Sequence, residues 1–89
     1  MRTPGRSSQF KKDVRLAAKR GKDMRKLEAV LSTLIDERPL DPRLRDHALG
    51  GPYRGHRECH IEPDWLLVYQ LAPGEIRFER TGGHADLFE

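Results

Sequence analysis

Residues 56–81 read HRECHIEPDWLLVYQLAPGEIRFERT, and this stretch decides the fold. It contains three segments, residues 56–61, 65–71 and 75–81, that are rich in aliphatic and aromatic side chains. Glu62-Pro63-Asp64 and Ala72-Pro73-Gly74 separate them, and proline and glycine at such spacing are typical of turns. Tight turns join antiparallel neighbours, so the stretch predicts a three-stranded antiparallel meander.

Two amphipathic helices are predicted on its N-terminal side. In residues 8–20 and 23–37 the apolar side chains recur at spacings of three and four, which is the period of one helical face. Ser7 or Ser8 caps the first helix, and Gly21 ends it. The short join between the two helices predicts a helical hairpin.

The remaining segments carry weaker signals. Residues 1–6 predict a short edge strand, which Pro4 and Gly5 weaken. Residues 38–55 contain three prolines and three glycines and predict a long loop, a feature that is usually functional. We therefore predict one α+β domain over residues 1–89. In it an N-terminal helical hairpin packs on one face of a small, mainly antiparallel sheet of three to four strands.

The composition excludes several classes of protein. The longest apolar run, residues 65–69, is far shorter than the roughly 20 residues of a membrane span, and the N-terminus does not resemble a signal peptide. The single cysteine, Cys59, forms no internal disulfide and suits a reducing compartment. These features predict a cytoplasmic protein that makes no membrane contact.

Positive charge is concentrated in the predicted helices, although the net charge is only +3. A cationic helical pair either binds a polyanion or forms a solvated face that keeps a small protein soluble, and the sequence favours neither. The eight cations are Lys11, Lys12, Arg15, Lys19, Arg20, Lys22, Arg25 and Lys26.

The best candidates for chemistry are His60, Asp64, Arg80 and His84, which stand near predicted strand ends or turns. Histidine exchanges protons near neutral pH, and arginine binds phosphate and offsets the charge of its transition state. No metal site is predicted, because His56 and His60 lie roughly 13 Å apart on a strand, too far to share one zinc ion. A Ser-His-Asp triad is not predicted either, since no serine lies near the histidines.

Strand alternation gives Arg80 an awkward position, because a regular strand would place it on the same face as Ile76 and Phe78. Either the strand bends near its end or that face is partly apolar. Trp65 and Phe88 are core or lid residues by default, although aromatic rings also stack on splayed bases.

Two motifs resemble one known family. HALGGPYRGHRECHIEPDWLLVY (residues 47–69) and FERTGGHADLF (residues 78–88) are similar to the YafQ branch of the RelE/ParE toxin superfamily. KDVRLAAKR and KDMRKL are similar to the helical hairpin of that family. The resemblance implies a RelE-like fold and a bacterial type II toxin that cuts messenger RNA in the ribosomal A site. It also implies neutralisation by a cognate antitoxin, contact with operator DNA only through that antitoxin, and no cofactor.

The resemblance further implies residue roles for a cleavage that needs no metal. The ribose 2′-hydroxyl would attack the adjacent phosphorus, His60 or Asp64 would take its proton, and His84 would protonate the leaving oxygen. The basic helices would dock on ribosomal RNA. Gly83 stands where the family commonly has threonine. The implied catalytic set is His47, His60, Asp64, Arg80 and His84, and Trp65 and Phe88 would shape the nucleotide pocket.

The sequence leaves two alternatives to the nuclease open. A toxin of the same fold that poisons DNA gyrase has similar helices but is not expected to hold the histidine, aspartate and arginine cluster. A non-enzymatic module that binds RNA or DNA through its basic helices would need no such cluster. Substitution of His84 by alanine separates both from a nuclease, because only a nuclease should lose its effect.

Overall fold

Two helices cover one face of a five-stranded sheet in the computed structural model, which describes residues 1–88. The strands run in the spatial order β1-β5-β4-β3-β2, and a third, short helix follows the last strand. The elements in chain order are β1 (Thr3–Arg6), α1 (Ser8–Lys19), α2 (Met24–Ile35), β2 (His47–Ala48), β3 (Arg57–Glu62), β4 (Trp65–Ala72), β5 (Glu75–Gly82) and α3 (His84–Phe88).

The predicted α+β class is confirmed, and the helices begin where their capping signals lie. The Ser7 side chain accepts a hydrogen bond from the Phe10 backbone N–H and caps α1. Asp23 caps α2 in the same manner by accepting from the Arg25 N–H. Gly21 follows α1 with a φ of 82°, a left-handed conformation that favours glycine and ends the helix.

The predicted meander of β3, β4 and β5 is confirmed as antiparallel, but the sheet is larger than predicted. β1 joins it in parallel, with Thr3 opposite Glu75, despite the proline and glycine in this strand. At the opposite edge the two residues of β2 pair with β3, so that His47 lies opposite Glu58. The loop predicted over residues 38–55 is found, but it also holds the unpredicted strand β2 and the 3-10 turns Pro42–Leu44 and Gly51–Tyr53.

The core lies between the helices and the inner face of the sheet. Its largest fully buried side chains there include Phe10 of α1, Trp65 and Tyr69 of β4, and Phe78 of β5. The opposite face of the sheet carries only a small apolar cluster, in which Leu87 of α3 packs on β4. This second face therefore remains largely open to polar side chains.

A β-bulge in β5 determines the direction of Arg80. Tyr69 pairs with Phe78, but the preceding residue, Val68, pairs with Arg80, so Glu79 is an extra residue in the ladder. The extra residue reverses the alternation of side chains beyond it. Arg80 consequently does not share the core face with Phe78. Of the two explanations offered for its position, a bend near the strand end is therefore the one that holds.

No helix within residues 1–88 is both long enough and apolar enough to cross a membrane.

Candidate active site

Three histidines form a row across the open face of the sheet. His47 comes from β2, His60 from β3 and His84 from the first position of α3. The ring centroids of His47 and His60 lie 6.2 Å apart, and those of His60 and His84 lie 5.9 Å apart. Phe88 continues the row at 6.4 Å from His84, and its side chain is 46% exposed. The residues predicted as catalytic histidines thus meet on one surface.

Asp64, in the turn between β3 and β4, holds His84. Its Oδ1 accepts the backbone N–H of His84 at 2.8 Å and lies 2.6 Å from Nδ1 of the same ring. These hydrogen bonds, the backbone one first, hold the pKa of the Asp64 carboxyl below its ordinary value. An ionised Asp64 therefore fixes the His84 ring with Nδ1 as donor and leaves Nε2 for other partners.

Glu58 lies between the other two histidines. It is only 5% exposed, and its Oε2 is 3.1 Å from His47 Nε2 and 3.7 Å from His60 Nε2. Its other oxygen, Oε1, is buried and has no hydrogen-bond partner among residues 1–88. His47 Nδ1 lies 2.7 Å from the carbonyl oxygen of Arg45, so both of its nitrogens face acceptors. The His47 ring is thus held between the Arg45 backbone on one side and the Glu58 carboxylate on the other.

The same three groups are also arranged as metal ligands. One ligand atom each from His47, Glu58 and His60 lie within 4.8 Å of one another. The separation of His56 and His60 along β3, from which no metal site was predicted, does not apply to this set. The one cysteine is not available as a further ligand or as a nucleophile, because burial raises the pKa of the Cys59 thiol to about 12.

Arg80, near the end of β5, is held by a buried carboxylate of α1. Asp13, which is 7% exposed, accepts from Arg80 Nε at 2.7 Å and from Arg80 Nη2 at 3.3 Å. The Thr81 N–H donates to the same carboxylate at 3.1 Å. The hydrogen bond to Asp13 raises the pKa of Arg80 further above its ordinary value, so the guanidinium stays charged.

Trp65 does not lie on the open surface. It is 1% exposed within the core, and its Nε1–H donates to Thr81 Oγ1 at 3.0 Å. The Thr81 hydroxyl in turn donates to the Leu66 carbonyl at 2.7 Å. Trp65 therefore shapes the site from beneath, by fixing the strand end that carries Arg80, and presents no free ring face to a base.

A cleft of about 740 Å³ opens beside His60 and His84. Arg80 does not line it but lines a smaller cavity with Asp13, Gly82 and Gly83 on the α1 side. The cleft is lined by Lys26, Asp41, Arg43, Leu44, Arg45, His60, Ile61, Glu62, Pro63 and His84.

The eight predicted RNA-binding cations fall into two groups. Arg20 pairs with Asp86, Arg25 pairs with Asp23, and Lys22 and Lys26 share Glu62. The other four are exposed on α1 and make no ion pair among residues 1–88. We call these four, Lys11, Lys12, Arg15 and Lys19, the α1 basic stripe.

Sequence reasoning missed Glu58, Asp13 and Tyr53. Glu58 stands two positions before His60, so strand alternation alone places both on one face. Asp13 lies three residues after Phe10 and four before Ala17, which puts it on the buried face of α1. The ring of Tyr53 contacts Phe88 with centroids 5.6 Å apart, and its 3-10 turn has a Gly-Pro signal in the sequence that does not reveal this distant contact.

Comparison with known proteins gives a consistent result. The family model described as a bacterial toxin of type II toxin–antitoxin system, YafQ, matches residues 2–89. The mRNA interferase toxin YafQ of Escherichia coli strain K12 is 51% identical over 83 residues, which cover 92% of this chain and 90% of that protein.

Two solved structures are similar over nearly the full length of both chains. The crystal structure of the E. coli DinJ–YafQ complex matches with a TM-score of 0.93 and 48% identity, covering 100% of each chain. A metal-bound toxin from Helicobacter pylori matches with a TM-score of 0.92 and 40% identity, covering 99% of this chain and 100% of that one.

Proposed function

Because this chain belongs to the YafQ family of bacterial type II toxins, we propose that it acts as an mRNA interferase that cuts messenger RNA on the ribosome. The observation that carries the proposal is the pairing of Asp64 with His84 on an exposed surface next to His60. Two imidazoles on one open face, one of them oriented by a carboxylate, are suited to acid–base catalysis on a phosphodiester. The reaction takes place in the cytoplasm, where ribosomes and messenger RNA are present.

The cleavage requires two proton transfers, one from the attacking hydroxyl to a base and one from an acid to the leaving oxygen. His60 removes the proton of the ribose 2′-hydroxyl, whose oxygen forms a bond to the adjacent phosphorus. The bond from phosphorus to the 5′-oxygen breaks, and protonated His84 donates a proton to that leaving oxygen. The products are a 2′,3′-cyclic phosphate and a 5′-hydroxyl end.

Two features support this division of roles. Asp64 is engaged by the backbone and the ring of His84, so it serves to orient and stabilise the protonated His84 rather than to act as base. Glu58 lies near His60 and stabilises the positive ring that forms when His60 takes up a proton. Arg80 supplies positive charge from the edge of the site as negative charge builds up on the phosphate oxygens.

A metal ion is not required for these steps. The H. pylori relative was solved with a bound metal, and the residues of this chain arranged to hold one are His47, Glu58 and His60. A divalent ion there would occupy His60, the group that takes the proton. We therefore expect cleavage to continue in EDTA and to be inhibited by added Zn²⁺.

The proposed partners are ribosomal RNA, which is inferred from surface charge, and an antitoxin, which is inferred from a related toxin. The α1 basic stripe is suited to the phosphates of ribosomal RNA, because exposed cations that lack internal partners release counterions on binding. A cognate antitoxin neutralises the toxin, in line with the complex that the E. coli relative forms with DinJ. Operator DNA is reached only through that antitoxin.

The test is messenger RNA cleavage by purified protein with and without ribosomes. Wild type should cut only with ribosomes, and His84→Ala should lower the rate at least about 10²-fold while remaining folded by circular dichroism. Ala85→Ser, at the neighbouring exposed position of α3, is the matched control and should cut normally. If folded wild type cuts no RNA, the nuclease proposal fails, and a gyrase assay tests the binding-toxin alternative.

A further inference from the structure

The cleft beside His60 and His84 extends beyond these histidines, and its far wall is the turn that precedes β2. An RNA strand continues past the bond that is cut, so the neighbouring nucleotide must lie against some part of the surface. The apolar side chains of Leu44, Ile61 and Pro63 line this cleft and are suited to a ribose or base.

The charges in the cleft leave one cation uncompensated. Arg43 pairs with Asp41 at 2.8 Å, and Lys26 pairs with Glu62 at 2.9 Å. Arg45 is exposed and its side chain makes no hydrogen bond or ion pair within residues 1–88. A guanidinium in this state is available to an external anion and offers two parallel N–H donors to a phosphate.

The backbone of Arg45 ties that side chain to the catalytic row. Arg45 adopts a left-handed conformation, with φ 52° and ψ 46°, which residues other than glycine adopt uncommonly. In this conformation its carbonyl oxygen lies 2.7 Å from His47 Nδ1. The position of Arg45 relative to the histidines is therefore fixed by a hydrogen bond rather than left to a free loop.

We propose that Arg45 binds the phosphate next to the one that is cut, so that the cleft holds the adjoining nucleotide of messenger RNA. The inference rests on the proposed function and names a binding residue for the same substrate. Replacement of Arg45 by alanine removes only the side chain, because the contact with His47 uses the backbone carbonyl. The catalytic groups therefore remain in place in that variant.

The test measures, by fluorescence anisotropy, the binding of short 2′-O-methylated oligoribonucleotides, which lack the attacking hydroxyl. Arg45→Ala should weaken binding about tenfold through the loss of one charged contact, and the slope of log affinity against log salt should fall by about 0.7. A series of strands then carries one uncharged methylphosphonate each. At a single linkage, this replacement should abolish the difference between wild type and Arg45→Ala.

Two further variants complete the design. Arg45→Lys keeps the charge and should retain part of the affinity. Arg6→Ala removes the same charge from β1, at the opposite edge of the sheet, and should weaken binding little and without dependence on linkage. If no linkage couples to Arg45, or if Arg6→Ala behaves identically, the inference is overturned while ribosomal cleavage stands. If coupling is found but wild type cuts no RNA, only the proposed function fails.

Discussion

Asp64 controls the orientation of His84 through two hydrogen bonds to one carboxylate oxygen. Asparagine at this position keeps the shape and an acceptor oxygen but removes the negative charge. We expect Asp64→Asn to lower kcat for ribosomal cleavage about 10²-fold with little change in KM, because the charge acts in the transition state. Single-turnover cleavage assays measure this, and a change confined to KM would contradict the assigned role.

The same carboxylate makes stability depend on pH. The pKa of Asp64 is lower in the folded protein than in the unfolded chain, because His84 donates hydrogen bonds to it. Its contribution is therefore complete above the unfolded value of about 3.9 and is lost as the pH falls through the folded value. The Tm of wild type should exceed that of Asp64→Asn at neutral pH and approach it in acid. If the Tm difference instead keeps its full neutral-pH size at a pH well below the unfolded value, the pairing is contradicted.

Gly83 permits the close approach of Asp64 to His84. A Cβ at this position would lie 2.9 Å from Asp64 Oδ2 and 3.3 Å from the Asp64 carbonyl oxygen. Because the resemblance places threonine here in related toxins, we expect Gly83→Ala to shift the exposed Asp64 carboxylate slightly and to lower cleavage at most about threefold, while the Tm changes little. Gly50→Ala is the matched control, since a Cβ there meets no atom within 4 Å. Normal cleavage by Gly83→Ala would show that this contact does not matter.

At the scale of elements, Asp13 connects α1 to the end of β5. Its carboxylate receives hydrogen bonds from the Arg80 side chain and the Thr81 backbone. Asp13→Asn replaces an acceptor-only carboxylate with an amide whose NH2 group would face these donors, so it should destabilise the protein by about 1–3 kcal/mol, measured by urea denaturation. The molecules of this variant that remain folded should also cleave RNA more slowly than wild type. The effects of Asp13→Asn and Arg80→Ala on kcat should be strongly non-additive, and simple additivity would exclude a shared function.

The elements that the sequence predicts well are those with their own periodic pattern. β4 and β5 extend over Trp65–Ala72 and Glu75–Gly82, within one residue of the predicted segments at each end. β2 could not be predicted, because two residues carry no periodicity and the strand exists only through its pairing with β3. Local patterns thus predict local elements, whereas an element that depends on a distant partner leaves no trace in its own sequence.

The same distinction explains the candidate site. Alternation along one strand would have placed Glu58 beside His60, and that signal was available in the sequence. The direction of Arg80 was not, because the extra residue Glu79 arises from the register between β4 and β5. For Trp65 the sequence allowed both a core position and a position in the nucleotide pocket, and packing against α1 and α2 decides for the core.

At the scale of the whole molecule, charge divides the surface into paired and unpaired cations. Replacement of the α1 basic stripe by glutamine should weaken ribosome binding and flatten its salt dependence by as much as about 3 in the log–log slope. It should leave cleavage of a short free RNA unchanged if wild type cuts one. Arg25→Gln with Arg38→Gln is the control, because each of these cations is paired with a nearby aspartate. An equal loss in the control would assign the effect to net charge alone.

The parallel pairing of β1 with β5 also sets the order in which the toxin can become active. β1 is synthesised before the other elements, but within residues 1–88 its one neighbour in the sheet begins at Glu75. Arg80 and His84 are made later still, so a chain that stalls before β5 has neither the complete sheet nor His84, the proposed acid. A nascent chain that has not yet added β5 and α3 should therefore be unable to cleave messenger RNA on its own ribosome.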